Sequence, residues 1–261
     1  MKEKPSVDVQ EVVAENIPGI TCMTIENGEW SFGTPNYYLV RGLNVAVVVD
    51  SGTGSDEEYA LFEKTWLSKG KPPIAAIIVT HEHFDHDGGS FDFSELTGAP
   101  IIGGLGEREE ERTMNLGERE ITILPTPGHT EDSLCVYDKK TDSLFTGDTI
   151  IEDKSVVVSD MASYIASLKK LEGISPARIL PGHGNIIENA TGKIAEYIAH
   201  TNRRERMIKR FIHHGLTSID ALTKRIYPLK PEVGKRQIES HIRKLIEEGY
   251  LTEEQGELTL I

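Results

Sequence analysis

The chain has 261 residues, with 28 basic and 42 acidic side chains and a formal net charge of −14. That length suits one large domain or a domain with an appendix, and a hydrophobic content of 38% supplies a core. The acidic balance excludes a protein that coats nucleic acid uniformly. Ile74–Val79 is the longest aliphatic run, far too short to span a bilayer, and Met1–Pro5 leads into no apolar signal segment. Cys22 and Cys135 sit in apolar stretches and read as small buried hydrophobes, so a soluble cytoplasmic protein is expected.

Tyr37–Val40 and Val45–Val49 are apolar runs joined at Arg41–Asn44, a hairpin signal, and Asp50-Ser51-Gly52 opens a loop. Ser55-Asp56-Glu57-Glu58 is a capping box for a helix that Gly70 and Pro72-Pro73 stop. Ile74–Val79 is a β-branched run fit for a buried strand and empties into Thr80-His81. Further strands are expected at Pro100–Ile102, Ile121–Leu124, Leu134–Tyr137, Leu144–Phe145 and Arg178–Leu180, with a helix at about Met161–Leu171 before the last. Alternating strands and helices predict a layered α/β body.

Charge changes sign along the chain. Residues 1–192 carry 15 basic and 32 acidic side chains, net −17, whereas residues 193–261 carry 13 and 10, net +3. This predicts two units, 1–192 and 193–261.

Five of nine histidines fall in three stretches that each follow an expected strand. They are Thr80-His81-Glu82-His83-Phe84-Asp85-His86, Pro127-Gly128-His129 and Pro181-Gly182-His183; Gly147-Asp148-Thr149 lies between the last two. Gly and Pro permit tight turns there, and loops at one sheet edge converge where residues along strands could not. In an extended segment His81 and His83 point the same way, and the turn that follows aims Asp85 and His86 at a second position. The zincin pattern does not fit, because it needs a histidine at Asp85. The clustering of imidazoles and carboxylates at strand ends points to a metal site.

These motifs, together with Asp50-Ser51-Gly52, resemble the metallo-β-lactamase superfamily over about residues 20–190. The resemblance implies an αββα sandwich with two divalent metal ions at one sheet edge. It implies His81, His83 and His129 around the first ion, Asp85, His86 and His183 around the second, and Asp148 between them. Zinc is the expected metal, with manganese or iron as alternatives. Two such ions would hold a bridging hydroxide as nucleophile, with Asp85 and His183 as the residues nearest the chemistry. Glu82 is expected to face solvent or to accept a hydrogen bond from a ligand.

Residues 193–261 read as three helices, Lys193–His214, Ser218–Tyr227 and Gln237–Glu248, then two short segments at Tyr250-Leu251 and Leu258–Leu260. That is a winged-helix outline. With Leu144–Ile150, Tyr164–Leu168, Arg225–Tyr227 and Ser240–Gly249, the chain resembles the lactamase-beta-like endoribonuclease family. The expectation is therefore an endonuclease on single-stranded RNA, with Arg203, Arg204, Lys209, Arg210, Lys235, Arg236, Arg243 and Lys244 meeting phosphates. The alternative is a small-molecule thioester or ester hydrolase resembling glyoxalase II, and the third reading is an iron persulfide dioxygenase. Just 34 residues separate Asp148 from His183, too few for the domain that β-CASP nucleases insert there.

Overall fold

The computed structural model describes residues 10–26, 33–104, 110–152 and 156–261. In chain order the elements are β1 (Gln10–Ile17), β2 (Ile20–Glu26), β3 (Tyr37–Arg41), β4 (Ala46–Val49), α1 (Asp56–Ser68), β5 (Ile74–Val79), α2 (Phe84–Asp87), α3 (Ser90–Thr97) and β6 (Ile101–Gly103). Then come β7 (Arg112–Asn115), β8 (Glu120–Pro125), β9 (Leu134–Asp138), β10 (Ser143–Gly147), α4 (Met161–Ile174) and β11 (Arg178–Pro181). The chain ends with α5 (Ala190–His213), α6 (Ile219–Ile226), α7 (Pro231–Glu247), β12 (Leu251–Glu254) and β13 (Glu257–Leu260).

Period-two alternation builds the layers. In β3, Tyr38 and Val40 point into a core shared with Ile121, Ile123, Val136 and Phe145 of a second sheet. Their neighbours Tyr37 and Leu39 point the other way, onto Leu61, Phe62 and Trp66 of α1 and Phe93 of α3. The first sheet runs β1-β2-β3-β4-β5-β6 and the second β11-β10-β9-β8-β7. On the outer face of the second sheet, Cys135, Leu144 and Ile179 pack against Tyr164, Leu168 and Leu171 of α4 and Ile194 of α5. Helix, sheet, sheet, helix is the αββα sandwich that the resemblance implies.

Strand direction then places the histidines. β4 and β5 are parallel, so the loops after Val49 and Val79 leave the first sheet on one edge. β10 is parallel to β11 and antiparallel to β9, which is antiparallel to β8. The loops after β8, β10 and β11 therefore leave the second sheet together. Within the second sheet Gly182 N–H donates to Gly147 O at 2.9 Å, and the edges of the two sheets meet where Asn36 N–H donates to Gly182 O at 2.7 Å and Leu134 N–H to Thr80 O at 2.8 Å. Neither glycine admits a side chain: a Cβ on Gly147, at φ +48°, would lie 2.4 Å from Thr80 Oγ1, and one on Gly182 would lie 2.5 Å from His86 Cε1.

The expected boundary at 192/193 falls inside α5, and the chain does not break there. A 24-residue helix of about 36 Å crosses it, capped by Asn189. Ala190 and Ile194 belong to the core on the outer face of the second sheet, whereas Ile208 and Ile212 join Leu222, Ile238, Ile242, Leu245, Leu251 and Leu258 in a separate core. Three helices and an antiparallel ribbon follow in the order expected. The helix expected at Gln237–Glu248 begins earlier, because Pro231 stands in its first turn, where proline is tolerated. Gly234 lies flat against Tyr227, where a Cβ would sit 2.3 Å from the tyrosine's own. Among the described residues no helix is long and apolar enough to cross a membrane.

Candidate metal centre

Asp50 follows β4 with φ +60°, a left-handed conformation that aspartate tolerates. Its carboxylate accepts from Thr80 N–H at 2.7 Å, from Thr80 Oγ1 at 3.0 Å and from His86 Nδ1 at 2.9 Å. His81 Nδ1 lies 3.1 Å from the same Thr80 hydroxyl, so one buried carboxylate sets two imidazoles. Ser51 donates to His86 O from both its backbone N–H and its hydroxyl, each at 2.9 Å, and so holds the single turn of α2. In the second sheet, His129 Nδ1 donates to Val157 O at 2.6 Å and His183 Nδ1 to Thr34 O at 3.1 Å. The His183 loop is tied to the first sheet by Tyr38 Oη on Pro181 O at 2.7 Å and by Asn36 Nδ2 on Gly184 O at 2.9 Å.

With their outer nitrogens so engaged, the inner ones converge. His83 Nδ1 lies 2.9 Å from His81 Nε2 and 3.1 Å from His129 Nε2. His86 Nε2 lies 3.3 Å from His183 Nε2, which in turn lies 3.3 Å from Asp85 Oδ2. Two groups result, His81, His83, His129 and Asp148, and Asp85, His86 and His183, with the donor atoms of each within 4.8 Å of one another. Asp148 faces both: Oδ2 is 3.9 Å from His129 Nε2, while Oδ1 is 3.6 Å from His86 Nε2 and 3.5 Å from His183 Nε2. Thus all seven residues implied by the resemblance come together in the implied grouping. Glu82 is exposed at the mouth of the cleft.

The donor set suits cations. Asp148 Oδ1 is buried and makes no hydrogen bond among the described residues, which is costly unless a positive charge faces it. Burial and the neighbouring imidazoles push His81 below its ordinary value, and burial does the same to His129, leaving neutral lone pairs. Burial alone would raise Asp148, but His86, His183 and His81 outweigh it and hold the carboxyl well below the usual range. Asp85 is likewise lowered against burial, by His183 and His86. Ionised carboxylates and converging imidazoles in two sets are compatible with two divalent ions, and such ligands suit zinc, manganese and iron alike.

The cluster opens into a cleft of about 820 Å³. Phe84, Ile151, Val156 and Val158 give it apolar lining, and Arg236, Glu239 and Arg243 of α7 reach it from the C-terminal unit. An adjoining cavity of about 250 Å³ shares Val156 and Val158 and is lined also by Tyr164, Tyr197, His200 and His241.

Of the eight basic residues expected to meet substrate, Arg236 and Arg243 are the two that line the cleft. Four others are occupied within the C-terminal unit. The Arg204 guanidinium lies 4.5 Å from the Tyr227 ring and Lys209 Nζ 4.4 Å from Tyr250, while Lys235 pairs with Asp220 at 3.0 Å. Lys244 corrects the expectation outright: it is buried and pairs with Glu205 at 2.9 Å and Glu248 at 2.8 Å. Arg203 and Arg210 are exposed outside the cleft lining.

The family model of the metallo-beta-lactamase superfamily matches residues 30–113 and 104–183, and the chain belongs to that superfamily. It is 31% identical over 249 residues to the beta-lactamase-like protein 2 homolog of Drosophila melanogaster, covering 83% of each chain. It is 30% identical to an atrochrysone carboxyl ACP thioesterase of Aspergillus fumigatus, covering 67% of this chain and 58% of that protein. A beta-lactamase domain protein of Burkholderia ambifaria has the same fold, with a TM-score of 0.81, 18% identity, and coverage of 97% of this chain and 95% of that one. Fold, family and donor set define a hydrolase of this superfamily with a site compatible with two metals.

Proposed function

We propose that the protein hydrolyses a thioester or ester of a small acyl compound. The observation that carries this reading is the apolar lining of Phe84, Ile151, Val156 and Val158 beside the His/Asp cluster. It gives an acyl chain a surface on which to bury with its carbonyl at the cluster. The thioesterase among the relatives supports the same class.

His81, His83, His129 and Asp148 would hold one ion, and Asp85, His86 and His183, with Asp148 shared, the other. Bound divalent ions supply Lewis acidity and acidify water near neutral pH. Asp85, ionised and partly open to the cleft, accepts a hydrogen bond from the attacking water and orients it toward the carbonyl. The water oxygen bonds to the acyl carbon, the C–S or C–O bond breaks, and the leaving thiolate or alkoxide takes a proton. The products are a carboxylate with its released proton and a thiol or alcohol.

A second reading, cleavage of single-stranded RNA, is favoured by Arg236 and Arg243 in the cleft, since guanidinium groups recognise phosphate. Acyl thioesters and labelled single-stranded RNA assayed in parallel separate the two, with Asp148→Asn as the control for a contaminating enzyme. Thioester turnover that Asp148→Asn removes is expected. RNA cleavage without thioester turnover would transfer the assignment to the second reading.

A further inference from the structure

Arg236 and Arg243 lie seven residues apart in α7 and share the face that lines the metal cleft. Both are exposed. Among the described residues neither makes an ion pair or stacks on a ring, unlike Arg204, Lys209, Lys235 and Lys244 of the same unit. Glu239 stands between them on that face and pairs with neither. The face is held in place: Gln237 is buried, and its Nε2 donates to Val156 O at 2.6 Å, a residue of the cleft's own apolar lining. Two guanidinium groups thus stand on a positioned helix at the cleft, without a counter-ion among the described residues. The remaining acids of the cleft, Glu82, Asp85, Glu131 and Asp148, include two that belong to the metal cluster.

We propose that Arg236 and Arg243 form an anion clamp for a phosphate on the thiol half of an acyl thioester, as in a coenzyme A thioester. This rests on the thioesterase reading above and narrows it. The apolar lining takes the acyl half, so the basic edge is left for the other half of the molecule. A bidentate guanidinium matches a phosphate better than a thioester or an alkyl chain. The C-terminal unit then determines which thioesters are used, while the residues of the sandwich perform the hydrolysis.

The test uses the full-length, metal-loaded protein and one acyl group on two thiols, coenzyme A and N-acetylcysteamine, the latter without phosphate. Wild type should favour the coenzyme A thioester in kcat/KM, and Arg236→Gln/Arg243→Gln should lower that ratio by about tenfold or more. Arg236→Lys/Arg243→Lys should retain part of it. Desulfo-coenzyme A, which keeps the phosphates and has no scissile bond, should bind the glutamine variant about tenfold more weakly by calorimetry, and its binding to wild type should weaken with salt. Circular dichroism and metal content check that each variant is folded and loaded. A ratio that is the same in wild type and variant, or equal binding of desulfo-coenzyme A, overturns the clamp and leaves the thioesterase reading standing. Turnover of neither thioester, with RNA cut instead, overturns both.

Discussion

Three hydrogen bonds into one buried carboxylate make Asp50 the residue on which two imidazoles depend. Asp50→Asn keeps the size and tolerates the left-handed backbone, but its amide nitrogen would face a donor at Thr80 or at His86. The fold should persist while metal affinity falls about 10- to 100-fold, as for other outer partners of metal-bound histidine. Metal titration of the chelated variant checks this, and wild-type affinity would show that His86 needs no such partner. The seven cluster residues were legible because each stands in a short motif after a strand. Asp50 was visible as the opening of a loop and as part of the motif set behind the resemblance, but its bonding role was not: its partners lie 30 and 36 residues away, and no local pattern encodes that distance. The basic residues show the same limit. Charge is written in the sequence, but whether a lysine faces water or a buried glutamate depends on what packs across from it, as Lys244 and Glu205 demonstrate.

Among the elements, α5 and α7 are tied to each other within the C-terminal unit. Glu205 of α5 is buried against Lys244 at 2.9 Å and lies 3.8 Å from His241 Nδ1, both of α7. Burial holds His241 below its ordinary value despite Glu205, and Glu205 is lowered against burial by the neighbouring His241 and Lys244. Both shifts act in one direction. A histidine held neutral contributes stability above its ordinary value near 6.5 that is lost as pH falls below it; a depressed carboxyl loses its contribution further down, through its folded value. Urea unfolding followed at pH about 7.5 and about 5.5 should therefore show a lower midpoint at the acid pH, and His241→Asn should shrink the difference. An identical difference in that variant would remove His241 from the account. Lys244→Met, which strands Glu205, should cost about 3 kcal/mol in the same measurement. Elements with strong local signals were legible, such as α1, whose Ser55–Glu58 capping box forms as expected. β1 was not: most of it is exposed, so its residues follow no burial pattern and it is held by pairing with β2. The start of α7 was hidden by Pro228 and Pro231, which read equally well as a stop and as a first turn.

At the scale of the molecule, the cluster is also a set of cross-links. Its donors come from loops of both sheets, whose edges are joined by backbone hydrogen bonds from Asn36 N–H to Gly182 O at 2.7 Å and from Leu134 N–H to Thr80 O at 2.8 Å. With the ions removed, Asp85 and Asp148 and five imidazoles are crowded into one volume, and nothing but hydrogen bonds joins the two edges there. Ions that bind this arrangement and not the unfolded chain stabilise it by mass action, about 2.7 kcal/mol at a hundredfold excess over the dissociation constant. For a protein of this size each kcal/mol moves the midpoint by about 2–4 °C, so zinc or manganese should raise the melting temperature of chelated protein by roughly 5–10 °C. Chelation should abolish hydrolysis in parallel, and either metal should restore both properties. In Asp148→Asn, where a neutral amide replaces the carboxylate that faces both groups, the metal-induced rise should shrink to a small fraction of the wild-type value. Scanning calorimetry of the two proteins, with and without metal, measures this without any substrate. A full-sized shift in the variant would show that Asp148 does not join the two groups, and the absence of a shift in wild type would mean that the converging donors do not bind these ions.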